Sequence, residues 1–106
     1  MSDSLEKAAD MASMVEFQDG AIVSRTVMDK EPGTVTLFAF DRGQALSEHT
    51  TPYDAMVVVL DGEAGITIGG ESQRVGAGQM VIMPAGIPHA VDAPERFKML
   101  LVMIGK

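Results

Sequence analysis

The sequence predicts an all-β fold, a sandwich or small barrel of antiparallel strands behind a short N-terminal helix. Three observations carry that expectation. Short β-branched and aromatic segments recur along the chain. Turn-forming residues separate them at regular intervals. No second helical pattern follows the opening residues, which excludes an alternating βαβ architecture.

The helix comes first. Asp3 is a candidate N-cap, with Glu6 three residues later as its capping-box partner. Leu5, Ala8, Ala9 and Ala12 then share one face at helical spacing. The expectation is a helical extension over residues 1–14, lying on the barrel or on a second subunit, with a frayed terminus as the alternative. Residues 22–28 (IVSRTVM) alternate apolar and polar, as a half-buried strand does, and residues 35–40 (VTLFAF) continue the pattern. Residues 56–60 (MVVVL) are a solid apolar run. Residues 64–68, 73–75, 80–83 and 97–104 complete the predicted strands. Between them stand Pro32-Gly33, Arg42-Gly43, Asp61-Gly62, Gly69-Gly70, Gly76 to Gly78, Pro84 to Gly86 and Asp92 to Pro94, all read as turns.

The segment 97–104 (FKMLLVMI) is apolar on both faces, and Met56, Val58 and Leu60 pose the same problem opposite Ala55, Val57 and Val59. One face packs the barrel. The other needs cover, which predicts a homodimer.

A length of 106 residues is one domain. The hydrophobic fraction of 46% places the chain among globular proteins. A net charge of −7 argues against nucleic acid and anionic membrane surfaces as partners. The absence of cysteine removes disulfides, thiolate nucleophiles, thiolate zinc sites and iron–sulfur clusters. No apolar run approaches the roughly 20 residues of a bilayer span. The acidic opening, MSDSLEKAAD, has no apolar signal core, so the expected location is cytoplasmic.

Only two histidines are present, each in a specific setting. The first lies in Gly43-QALSE-His49-TTPYDAMVVVLD-Gly62, the second in Gly78-QMVIM-Pro84-A-Gly86-IP-His89. These two stretches resemble the paired motifs of the cupin superfamily. The second keeps Gly78, Pro84, Gly86 and His89 and ends on Ala93 where the family has asparagine. The first keeps Gly43, His49 and Gly62, with Thr51 where a second histidine would stand and Ala55 where a glutamate would stand.

The resemblance implies a small jelly-roll barrel over residues 35–104 within a single cupin domain, 1–106. It implies a small-molecule ligand in that barrel. It also implies one divalent transition metal (iron, manganese, nickel, zinc or copper) held by His49 and His89, or none. An enzyme of this type would be a metal-assisted dioxygenase or isomerase. The alternatives are a metal-free binding or sensor domain, or a structural dimer without catalytic activity.

Residues two apart on a strand share a face, so His49, Thr51 and Ala55 are expected to point inward together. The expected ligand pocket comprises Thr51, Tyr53, Ala55, Gln44 and Met83 beside the two histidines. Glu48 and Asp54 have the wrong strand parity to serve as ligands unless a bulge around Pro52 changes it. Tyr53 is either a pocket-lining phenol or part of a Pro-Tyr-Asp bend. Met80, Met83, Met99 and Met103 offer thioethers suited to Cu(I), although core filling is the simpler role for methionine. The segment GITIGGE lacks the lysine and following helix of a phosphate-binding loop.

Overall fold

The computed structural model describes residues 7–105. Its strands are β1 Ile22–Lys30, β2 Gly33–Phe40, β3 Ala45–His49, β4 Asp54–Ile68, β5 Glu71–Gly76, β6 Met80–Met83, β7 His89–Asp92 and β8 Phe97–Ile104. The main path of neighbouring strands is β1-β2-β8-β4-β7-β3, with β5 and β6 also paired to β4. Every pairing is antiparallel. The fold is all-β, a sheet curled on itself, as the segment pattern predicts.

β4 makes the curl possible. Its first half pairs with β8 and β6, and its second half with β5 and β7. Asp61-Gly62 is therefore not the hairpin turn that the dipeptide suggests. The two predicted segments around it are one strand, which bends at a bulge between Val59 and Asp61 and leaves one sheet for the other.

Gly62 sits at φ 75°, and an added Cβ would overlap the backbone carbonyl of Arg96. Left-handed backbone alone costs a side chain about 1–2 kcal/mol, and here the clash is with main chain. Gly62→Ala is expected to lower stability by at least about 2 kcal/mol. Urea unfolding should show a lower midpoint at an unchanged slope. A midpoint like that of the wild type would contradict this account of the bend.

Alternation along the strands divides the apolar residues between two clusters. Phe97 and Met99 on β8 meet Ala55, Val57 and Val59 of β4, Phe40 of β2 and Val91 of β7 inside the barrel. On the opposite face of the sheet, Leu37 and Ala39 are buried with Val15, against Met14, Phe17, Leu60 and Leu100. The N-terminal segment thus covers part of the second apolar face noted in the sequence. Lys98 Nζ donates to the Ala12 carbonyl at 2.5 Å and Arg25 Nη1 to that of Met14 at 3.3 Å.

The segment is less helical than its spacing predicts. Residues 7–10 are not helical, and the helix is a single 3-10 turn, Met11–Met14. Three alanines offer little to bury, whereas Met14, Val15 and Phe17 pack onto the sheet. Asp3, Leu5 and Glu6 lie outside the described residues.

Asp41, at the end of β2, ties three loops together. It accepts from Arg96 Nε at 2.8 Å, from the Gly20 amide at 2.6 Å and from the Arg42 amide at 2.9 Å, while Arg96 Nη2 also reaches Asp19 at 2.8 Å. The Arg96 hydrogen bond, then the Gly20 amide, lower the Asp41 pKa from 3.8 to about 2. A carboxyl whose pKa is depressed on folding contributes stability above its unfolded value and loses it as pH falls through the folded one. In wild type that contribution should therefore disappear between pH 3.8 and about 2. Asp41→Asn should be less stable at neutral pH and show a shallower decline over this window, measured as urea midpoint against pH. Parallel profiles would remove Asp41 from the acid response.

Candidate ligand pocket

β3 ends on His49 and β7 begins on His89, and the two are direct cross-strand partners. Leu46 lies opposite Val91, so three residue steps on β3 span two on β7. One extra residue is accommodated at Ser47-Glu48 as a bulge. On a regular strand Leu46 and His49 would face opposite ways. The bulge turns both into the same cavity.

It lies upstream of His49 rather than around Pro52, and it leaves Glu48 and Asp54 outside the cavity. Glu48 is exposed. Asp54 Oδ1 accepts from the Ala85 amide at 2.8 Å, on the exposed side.

The two imidazoles meet edge to face, with ring centroids 4.4 Å apart and planes inclined by 68°. His89 is buried, whereas His49 is exposed at the cavity mouth. Each ring is fixed by its own backbone two residues earlier. His49 Nδ1 lies 2.8 Å from the Ser47 carbonyl oxygen and His89 Nδ1 lies 3.2 Å from that of Ile87. A carbonyl oxygen only accepts, so each Nδ1 carries a hydrogen, and in the neutral ring Nε2 is then the atom with the lone pair. Among the described residues neither Nε2 has a hydrogen-bond partner.

The cavity beside them has a volume of about 70 Å³. Thr51, Ala55 and Met83 line it with both histidines, and so do Leu46, Val91, Met99, Leu101 and Met103. The Thr51 hydroxyl is engaged locally, donating to the Tyr53 carbonyl at 3.1 Å and accepting from the Tyr53 amide at 2.9 Å. The lining is therefore apolar apart from the two rings.

Two residues expected in the pocket lie elsewhere. Tyr53 is 41% exposed and borders a separate open depression with Pro32, Thr34 and Gly105. The bend at Pro52 turns its ring away, and its Cε1 and Cδ1 lie beside Gly105. Gln44 is engaged through its backbone in the loop before β3, its amide donating to Asp41 and its carbonyl accepting from Ala93. Sequence reasoning missed Leu46, Val91 and Leu101. Val91 was within reach, because it stands two residues beyond His89 on a strand. Leu46 was not, because its inward direction depends on the bulge.

A resident divalent ion is a poor match to these residues. Such a site takes three protein ligands and an open position. Among the described residues no group of three or more His, Cys, Asp or Glu side chains comes together. Thr51 and Ala55, at the positions of the absent ligands, supply a committed hydroxyl and a methyl group.

Residues 36–105 match a family model described as a cupin domain. A conserved protein of unknown function from Streptococcus pyogenes has a crystal structure similar to this chain, with a TM-score of 0.91 and 42% identity over 95% of this chain and 89% of that one. A cupin superfamily protein from Desulfitobacterium hafniense gives a TM-score of 0.90 at 27% identity, covering 95% and 93%. Among curated proteins, an uncharacterised protein of Streptomyces coelicolor is 38% identical over 56 residues. That alignment spans 53% of each chain, so this chain matches about half the length of that relative.

Proposed function

The chain belongs to the cupin family, and on that premise we propose that it is a metal-independent small-molecule-binding module in which His49 and His89 receive the polar head of the ligand. One observation carries the reading: two Nε2 atoms without a partner among the described residues stand together at an otherwise apolar cavity. Pockets of this kind fix a ligand with a few convergent polar groups and take most of their affinity from apolar contact.

Paired acceptors call for a donor, so the head carries hydroxyl, amide or amine hydrogens. A volume of about 70 Å³ admits only that head. The remainder leaves past His49, the exposed member of the pair. Among the described residues no carboxylate or thiol lines the cavity to act on a bound molecule, which favours binding over catalysis.

Thermal-shift measurements with small alcohols, amides and amines, in the presence of a chelator, test this. A ligand at a hundred times its Kd stabilises the fold by about 2.7 kcal/mol. Shifts present in wild type and absent in His49→Ala are expected. Equal shifts in both proteins would take the histidines out of the site. Elemental analysis after reconstitution should find less than about a tenth of an equivalent of iron, manganese, nickel or zinc. Full occupancy by any of them would replace this reading with a metal-dependent one.

The same reading includes a homodimer. Beyond the area that the N-terminal segment covers, Met80 and Ile82 on β6 and Ile104 on β8 remain 49%, 48% and 55% exposed. They alternate with the buried Met83 and the inward-facing Met103, so they belong to the outer face, as do Met56 and Val102. A second copy brings an identical apolar patch, the self-complementary arrangement of a two-fold dimer. Sedimentation should give a dimer at micromolar concentration and a monomer for Ile82→Glu. Monomeric wild type would remove the claim, and a dimer unaffected by Ile82→Glu would place the interface elsewhere.

A further inference from the structure

We propose that a ligand held at its head by His49 and His89 runs on into the open depression beside Tyr53, so that the site takes an elongated molecule with hydrogen-bond donors at one end and a cationic amine at the other. The inference rests on the reading of the two imidazoles as binding groups, and it names what the far end of the ligand meets.

One row of cross-strand partners joins the two recesses. Asp29 of β1 stands opposite Thr34 of β2, Thr34 opposite Met103 of β8, Met103 opposite Ala55 of β4, and Ala55 opposite Met83 of β6. Met83, Ala55 and Met103 line the histidine cavity, whereas Thr34 and Asp29 line the depression. Gly105, two residues beyond Met103, lines the depression as well. Val35 and Ile104, the outward-facing neighbours, border neither recess. On the opposite rim Thr51 lines the cavity, and its hydroxyl bonds both the amide and the carbonyl of Tyr53 at the depression. Both recesses therefore open at the same end of the barrel.

The connecting row is accessible, for Thr34 and Met103 are half-buried. Neighbouring strands lie about 5 Å apart, so Asp29 is roughly 10 Å from Met103 across two of them. The depression has a volume of about 320 Å³ against about 70 Å³ for the cavity, room for the part of the ligand that the cavity does not admit.

Charge decides the far end. Asp29 and Glu31 line the depression against Lys30 alone. Among the described residues neither carboxylate has an ion pair or a hydrogen bond. Tyr53 supplies an aromatic ring there, a surface that attracts a cation. An anionic tail would meet two carboxylates and one ammonium, in a chain of net charge −7.

Tyr53 is the only tyrosine and the chain has no tryptophan, so intrinsic emission reports on the depression itself. The full chain is titrated with hydroxyoctyltrimethylammonium, whose hydroxyl is its sole donor and so fixes its orientation. Octanol lacks the cation, and choline is too short to span the two recesses. The long cation is expected to change tyrosine emission and raise the melting temperature over the same concentration range. Choline should bind at least about tenfold more weakly, because most of the apolar contact is lost. Asp29→Asn, at an exposed position, should weaken the long cation about threefold, the size of an exposed ion pair, and leave octanol unchanged. His49→Ala should weaken both.

Equal affinity of wild type and Asp29→Asn for the long cation, or binding without a change in tyrosine emission, would overturn the proposal. A His49-dependent thermal shift with octanol in the same experiment would mean that this inference alone has failed. Binding of the long cation that survives His49→Ala undiminished would make the depression a separate site and overturn the connection. A wild type that responds to neither octanol nor the long cation removes the pocket reading as well.

Discussion

Phe97→Ala should cost about 3–5 kcal/mol, the range for removing a buried aromatic ring from a core that cannot collapse around the loss. Phe97 is fully buried and stacks on Phe40, with centroids 4.5 Å apart and planes 17° from parallel. It is the cross-strand partner of Phe40 on β2 and of Gly62 on β4, so it stands where the sheet bends. Gly62, its direct partner on β4, has no side chain to fill the void. Domains of this size have a total stability of roughly 5–15 kcal/mol, so the variant should be close to unfolding at 37 °C. The melting temperature should fall by on the order of 20 °C. Pairing it with Phe40→Leu should give a non-additive total, because stacked rings contribute about 0.5–1.5 kcal/mol beyond the area they bury. Met28→Ala, at a side chain 55% exposed on β1, is the control and should shift stability by less than about 0.5 kcal/mol. A loss of under about 1 kcal/mol for Phe97→Ala would mean that the bend is held by something other than this stack.

How much of this was legible in the sequence follows from the range of each interaction. The strands 80–83 and 97–104 have the observed limits, because their short apolar runs and flanking turn residues are local signals. Asp61-Gly62 misled because the same dipeptide serves a hairpin and a left-handed bulge within a strand, and only the partners of β4 on either side distinguish the two. β3 and β7 are short, and β3 is mostly exposed, so no hydrophobic period marks them. Their place was readable only through the glycine and proline spacing around His49 and His89.

The inward direction of His49 was expected from its parity with Thr51 and Ala55, and all three line the cavity. The pairing of Leu46 with His49 on one face was not readable, because it depends on one unpaired residue in a non-local ladder. Tyr53 followed the bend that Pro52 favours rather than the pocket that its chemistry suits.

Substituting both histidines with leucine should abolish binding by the organic panel while leaving the fold as stable as before or more so. The two halves of that expectation have separate causes. Each Nε2 lost leaves a ligand donor unpaired in an apolar cavity, at about 1–3 kcal/mol, or roughly tenfold to a hundredfold in affinity per ring. The fold loses two hydrogen bonds from Nδ1 to neighbouring backbone carbonyls, worth about 1 kcal/mol each. It gains two apolar side chains in a cavity already lined by Leu46, Val91 and Leu101. It also sheds two acceptors that have no partner among the described residues. That exchange should balance or favour leucine, as happens when a site kept for function is filled with apolar atoms.

The single variants should not be equivalent. His89 is 5% exposed, so His89→Leu carries most of the stability change. His49 stands at the mouth, so His49→Leu acts mainly on binding. Because the rings touch, the two effects should not sum, and the difference measures their coupling. Were the pair only a satisfied feature of the barrel wall, the double variant would instead lose stability by about 2 kcal/mol or more. The thermal shifts of the panel would then be the same as in wild type. Chemical unfolding and ligand titration on the same four proteins separate these outcomes.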